Sequence, residues 1–294
     1  MQFRKATLIG VGLLGGSFGL ALRKRRLART VTGLVRRVSS VRESVACGAV
    51  DEATLDLAEA VRGADLVVFC TPLARMKSLA KQLAPHLKRG ALVMDVGSVK
   101  ASVIRDVESA VIRAGADFVA SHPMAGSEKA GVLAAQEDLF AGAVCIVTPT
   151  AKTRPAALKR AEKLWKALGC RTLRTTPELH DQLVSRSSHL PYLSSVALTN
   201  YILDPAHSKA QGQLCAGGFR DTTRIASSSP EMWRDIALAN RRHIRKALAG
   251  YMRHLVKLDQ MLRLGDGDQL AACFQKSKTL RDEWFAEASS RLPK

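Results

Sequence analysis

His122 stands between the short apolar run Phe118 to Ala120 and Pro123, a place where an imidazole can act as general acid or base near neutral pH. Ser98 precedes a helical stretch, Val99 to Ala114, so its hydroxyl reads both as an N-cap and as a catalytic group; the two roles are compatible. A third cluster, Gly10-x-Gly12-x-x-Gly15-Gly16, leaves an apolar strand and enters a helical pattern. That is a dinucleotide-binding fingerprint in its required context. Gly10 permits the sharp turn off the strand, Gly12 lets the backbone approach a pyrophosphate, and Gly15 lets the helix pack close to the sheet. Free N–H groups at the helix start, including those of Leu13 and Leu14, then face the phosphates. The chemistry implied is that of a nicotinamide or flavin nucleotide.

These residues need a frame that brings them together. Runs at Ala6 to Ile9, Val31 to Val35, Leu66 to Cys70, Leu92 to Val96, Phe118 to Ala120 and Val144 to Val147 are short and rich in Val, Leu and Ile, as buried parallel strands are. Helical spacing fills the gaps, for example Lys77 to Leu87 and Val99 to Ala114. A helix at Ala156 to Leu168 and a strand at Arg171 to Arg174 finish the sheet. From Pro177 onward helical patterns take over, Glu178 to Leu203 and Met232 to Leu264, joined by the Gly- and Ser-rich stretch Gly212 to Pro230. The predicted architecture is an α/β Rossmann-type doubly wound domain over residues 1–176, followed by an all-α helical domain over 177–294.

Ligands of open α/β sheets bind beyond the carboxyl ends of the strands. Those positions are Gly10 to Gly15, Val35 to Arg37, Thr71-Pro72, Asp95 to Ser98 and Ser121 to Pro123, so Thr71, Pro72 and Asp95 join the candidate cofactor residues. Choice of cofactor is readable at the second strand. An acidic residue about 20 positions beyond the glycines would hold the ribose hydroxyls of NAD, yet Val35 stands there, followed by Arg36, Arg37 and Ser39. Two guanidinium groups and a hydroxyl suit a 2′-phosphate, so NADP is the expected preference with some use of NAD retained.

Composition bounds the class. The chain has 294 residues, 47% of them hydrophobic, enough for about two cores. No uncharged apolar run approaches the ~20 residues of a membrane span, and MQFRKATLIG enters the first strand without the pattern of a secretory signal. Six scattered cysteines without a CxxC pair read as small buried hydrophobes in a reducing cytoplasm, and no metal site is expected. The formal charge of +19 is spread along helical stretches with few aromatics between. It reads as solvated faces with an attraction for small polyanions, not as a nucleic-acid surface.

The segments GVGLLGGSF, DVGSVK (Asp95 to Lys100), HPMAGSEKAG (His122 to Gly131), SHLP (Ser188 to Pro191) and GGFRDTTRIASSSPEMW (Gly217 to Trp233) resemble, in order, those of the prephenate and arogenate dehydrogenases of tyrosine biosynthesis. The resemblance spans nearly the whole chain. It implies oxidative decarboxylation of a cyclohexadiene, with hydride passing from the hydroxyl-bearing ring carbon to the nicotinamide while the ring carboxylate leaves as carbon dioxide. It further implies that His122 takes the hydroxyl proton and that Ser98 orients the imidazole. Arg224 would pair with a substrate carboxylate, His189 and Arg220 with the side-chain carboxylate, and Glu128 would be the ion partner that gates Arg224. By the same resemblance Trp233 reaches a site from a neighbouring subunit, because the helical domain forms a homodimer. Neither a preceding chorismate mutase segment nor a following regulatory domain is expected. A β-hydroxyacid dehydrogenase or imine reductase would share the architecture but relies more often on a lysine of the helical domain. A non-catalytic nucleotide-binding regulator would explain the charge and leave Ser98, His122 and Arg224 together unexplained.

Overall fold

The computed structural model describes residues 2–207 and 209–290. Six strands, β1 (Phe3–Ile9), β2 (Ala28–Leu34), β3 (Glu52–Thr54), β4 (Leu66–Phe69), β5 (Leu92–Asp95) and β6 (Asp117–Val119), form one sheet in the order β3-β2-β1-β4-β5-β6. All its pairings are parallel. Successive residues of a strand point to opposite faces, and here both faces are dry. Leu66, Val68, Leu92 and Met94 enter a core with Phe18, Phe140 and Trp165, whereas Val67, Phe69 and Val93 enter a second core with Met76, Leu83 and Val107. That double burial is why the strands read as unbroken apolar runs.

Helices α1 (Leu13–Lys24), α2 (Val38–Ala46), α3 (Leu57–Val61), α4 (Leu73–Leu83) and α5 (Lys100–Arg113) make the crossovers. The strand order reverses between β1 and β4, which places the crevice at the carboxyl end of β1, where Gly10 lies.

The structure corrects the expectation of one continuous sheet. Strand β7 (Ser121–Pro123) pairs antiparallel with β8 (Val144–Val147), which pairs parallel with β9 (Arg171–Arg174), and these three form a separate sheet. Only Ala120 separates β6 from β7, so His122 sits within a strand and not in a loop after one. Helix α6 (Pro155–Ala167) crosses from β8 to β9 and seals the first core with Leu164 and Trp165.

Among the described residues from Pro177 onward there is no strand. The elements are α7 (Pro177–Val184), a π-helical turn Ser185–His189, α8 (Leu190–Ile202), α9 (Lys209–Gln213), α10 (Gly217–Thr223), a 3-10 turn Arg224–Ser227, α11 (Pro230–Ala239), α12 (Arg241–Leu264) and α13 (Gly267–Ser290). The stretch expected to be a simple Gly/Ser linker therefore holds two helical segments, and the first long helix contains a wide turn. Pro191 explains that turn: it lacks the N–H that would bond the carbonyl four residues back, and its ring crowds that carbonyl. By packing, the chain divides into residues 1–241 and 242–294.

Candidate active site

The N-terminus of α1 is built to receive an anion. Gly12 occupies its N-cap without a side-chain hydrogen bond, and no acidic residue lies in the first turn. Gly16 donates to the Gly12 carbonyl 2.7 Å away, so the N–H groups of Leu13, Leu14 and Gly15 precede the first such bond. A Cβ on Gly12 would meet nothing within 4 Å, whereas one on Gly15 would stand 2.1 Å from the Gly10 carbonyl oxygen. Gly10 itself has φ +98°, and a Cβ there would meet the Cys70 carbonyl at 2.9 Å. Gly12 thus leaves a cradle open while Gly10 and Gly15 hold its walls, and these residues fit a dinucleotide pyrophosphate. Val35 is buried at the end of β2, and Arg36, Arg37 and Ser39 are exposed beside it. Thr71 and Pro72 follow β4; the Thr71 hydroxyl oxygen is buried without a hydrogen-bond partner.

Asp95 ends β5, as expected, but its side chain turns into the protein. Its carboxylate is fully buried, accepts from Gly97 N at 2.8 Å and Ser121 N at 3.1 Å, and pairs with the buried ammonium of Lys100. Lys100 Nζ also donates to the Ser121 carbonyl at 2.6 Å, and the Ser121 hydroxyl donates to the Asp95 carbonyl at 2.7 Å. Asp95 and Lys100 therefore brace the strand that carries His122, and the carboxylate's acceptors are spent inside the protein.

The surroundings of His122 are equally specific. Its Nδ1 lies 2.9 Å from Nε2 of His180, whose Nδ1 lies 2.8 Å from Oδ1 of Asp181. The Asp181 carboxylate also accepts the N–H groups of Lys100 at 2.7 Å and Ala101 at 3.0 Å, the first turn of α5. Hence the cap of α5 is Asp181 from a distant helix and not Ser98: Val99 holds the N-cap position and makes no side-chain cap bond. No hydrogen bond joins Ser98 to His122. The ring partner of His122 is His180. Burial pushes the His122 pKa well below the usual 6.5, reinforced by His180, Lys100 and His189, so the imidazole is neutral at pH 7 with one ring nitrogen unprotonated.

The wide turn before Pro191 delivers His189. Asn240 Nδ2 donates to the Asp181 carbonyl at 2.8 Å and lies 3.2 Å from His189 Nδ1. An amide NH2 only donates, so Nδ1 accepts and the proton of the neutral ring sits on Nε2. That Nε2 is buried with no hydrogen-bond partner, and burial brings the pKa of His189 down to about 4. The group is a neutral donor for which none of the described residues provides an acceptor. Trp233 stacks on Tyr192 with ring centroids 3.7 Å apart and meets His189 edge-on at 5.9 Å, with its buried Nε1 also unpartnered. The ring is engaged within its own chain.

Arg224, in the 3-10 turn, donates from Nη1 to Glu128 Oε2 at 2.8 Å. The arginine is 59% exposed and the glutamate 30%, a pair that can open readily. Arg220 lies in α10. Residues that sequence reasoning missed are Lys100, Tyr192, His180, Asp181 and Asn240. The first two lie in or beside the motifs DVGSVK and SHLP, but nothing local marks the other three.

Comparison with known proteins gives the family of both parts of the chain. Residues 18–174 match the family described as prephenate dehydrogenase, nucleotide-binding domain, and residues 176–276 match prephenate dehydrogenase, dimerization domain. A prephenate dehydrogenase of Bacillus subtilis is 34% identical over 94% of this chain and 74% of its own length. A cyclohexadienyl dehydrogenase of Zymomonas mobilis is 34% identical over 95% of both. The crystal structure of a prephenate dehydrogenase from A. aeolicus, in complex with hydroxyphenyl propionate and NAD+, superposes with a TM-score of 0.89 at 32% identity and covers 96% of this chain and 99% of that one. With both domains matched in order, the chain belongs to the prephenate dehydrogenase family.

Proposed function

We propose that this protein oxidatively decarboxylates prephenate or arogenate in tyrosine biosynthesis, with a nicotinamide nucleotide as hydride acceptor. The observation that carries the reading is a neutral imidazole, His122, fixed by a buried hydrogen-bond chain on the strand beyond β6, at the end of the sheet where the uncapped α1 N-terminus waits for a dinucleotide. A nicotinamide bound at this cradle would supply the acceptor for the hydride on the hydroxyl-bearing ring carbon. His122 accepts the hydroxyl proton through Nε2, so negative charge builds on the oxygen as hydride departs and lowers the barrier. The Nε2–H of His189 and the guanidinium of Arg224 are donors for the two substrate carboxylates, Arg224 through its planar fork once Glu128 releases it. Arg220 adds positive charge near the same turn, and Ser98 lies three residues beyond β5 with its hydroxyl available to the substrate oxygen. Loss of the ring carboxylate as carbon dioxide supplies the electron pair that makes the ring aromatic.

The finer choices follow from charge. Arg36, Arg37 and Ser39, with Val35 in place of a carboxylate, favour NADP, while the pyrophosphate cradle is common to both cofactors. Homodimerisation is supported by the match to the dimerization domain. No helix of the described residues is long and apolar enough to cross a membrane. Six unpaired cysteines suit the reducing cytoplasm, where we place the enzyme. The test is reduction of NADP and of NAD, followed by absorbance, with prephenate and arogenate side by side. Turnover of neither substrate with either cofactor overturns the proposal.

A further inference from the structure

Asp181 is an acceptor-only carboxylate that already receives two backbone N–H groups, so its contact with His180 Nδ1 at 2.8 Å requires the proton to be on that nitrogen. A neutral imidazole carries one N–H. The Nε2 of His180 is then an acceptor, and the 2.9 Å contact requires His122 to donate from Nδ1. It follows that the second ring nitrogen of His122, Nε2, bears the lone pair. Both rings are buried, His180 fully, and meet edge to face at 69°. The charged and titratable groups that act on them are Lys100, Asp95, Asp181 and His189.

We infer that His180, held by Asp181, is a positioning residue for the reaction: it fixes the tautomer of His122 and aims the Nε2 lone pair at the substrate hydroxyl. This rests on the reading of His122 as the base. Without the acceptor at His180, His122 would be free to place its proton on Nε2 and present a donor to the hydroxyl it has to deprotonate. The chain also gives the imidazolium formed in the reaction a hydrogen bond to a ring that Asp181 polarises, and the carboxylate charge is delivered without touching substrate. Burial of His180 in a helix that caps α5 keeps the contact from being lost to water.

Two measurements test the inference. Nitrogen-15 spectra of the imidazoles in the unaltered protein near pH 7, with His122 assigned by its absence in His122→Asn, report the tautomer directly; the expected state is Nδ1 protonated and Nε2 bare. In the second, His180→Phe keeps the ring volume and removes the acceptor, which should lower kcat by about 10- to 10³-fold with little change in KM or cofactor affinity. His180→Gln, whose amide oxygen can reach the position of Nε2, should recover part of that loss. A His122 found protonated at Nε2 in the parent overturns the inference, as does a His180→Phe protein with native circular dichroism and parental kcat. If the parent turns over neither prephenate nor arogenate, the functional reading fails by itself, and the nitrogen spectrum still decides the tautomer.

Discussion

At the scale of single residues, the site depends on groups that have been taken out of water with a specified partner. Replacing His122 by Asn keeps a polar side chain but removes the proposed base, and turnover should fall about 10²–10⁴-fold while cofactor binding is unchanged. Loss of circular dichroism in place of activity would reveal a structural residue instead. The acid limb of kcat/KM carries a second signature. A base must be unprotonated, and burial holds the His122 pKa well below 6.5, so activity should persist as pH falls through 6.5 and drop only in more acidic buffer. A limb centred at 6.5 or above would contradict the buried environment. Arg224 is different, because its present partner Glu128 is half-exposed and exchangeable. Arg224→Ala should cost about 2–5 kcal/mol in kcat/KM through the unpaired substrate carboxylate, and Lys should restore only part because it lacks the fork. Equal kcat/KM for all three proteins would remove Arg224 from the site.

At the scale of elements, the same contacts show what a sequence makes legible. The strand-glycine-helix unit was readable because every constraint on it is local: Gly10 needs a positive φ, and Gly15 must touch the Gly10 carbonyl only five residues away. Strand positions were readable because both faces of the sheet are buried. The split into two sheets was not, since an apolar run does not state its direction, and the antiparallel pairing of His122 with Ile146 is made across a loop. Ser98 failed as a cap for the same reason. The local pattern favoured it, but the carboxylate that serves α5 comes from Asp181, 81 residues along the chain. His180 and Asp181 lie in an ordinary helical pattern, and only the fold brings them to His122. The brace behind them yields a stability prediction. Lys100→Met leaves the fully buried Asp95 carboxylate without its cation and should destabilise the protein by about 3–5 kcal/mol in denaturant titration. A loss under about 1 kcal/mol would mean that the backbone N–H groups of Gly97 and Ser121 suffice for the charge.

At the scale of the whole molecule, the helices of the second compact unit pose a burial problem. In α12 the residues Leu248, Tyr251, Met252, Leu255, Val256 and Leu262 recur at helical spacing and are 37% to 65% exposed in the single chain. Helix α13 adds Phe274, Trp284 and Phe285, each more than half exposed. A stripe of this kind costs free energy in water at roughly 25 cal/mol per Å² of apolar surface, and a stable soluble protein normally covers it. Residues 176–276 match a dimerization domain, so a second copy is the expected cover for the part of the stripe in α12. Folding and association are then linked, so the melting temperature should rise with protein concentration, as it does when the native state alone binds a partner. Introducing a charge within the stripe, Leu255→Glu, should shift sedimentation toward the monomer and lower the melting temperature, since an unpaired carboxylate would be buried at the interface. Activity of that variant should fall with dilution more steeply than that of the parent. A concentration-independent melting temperature, with sedimentation as a monomer in both proteins, would show instead that the stripe is covered from within the chain.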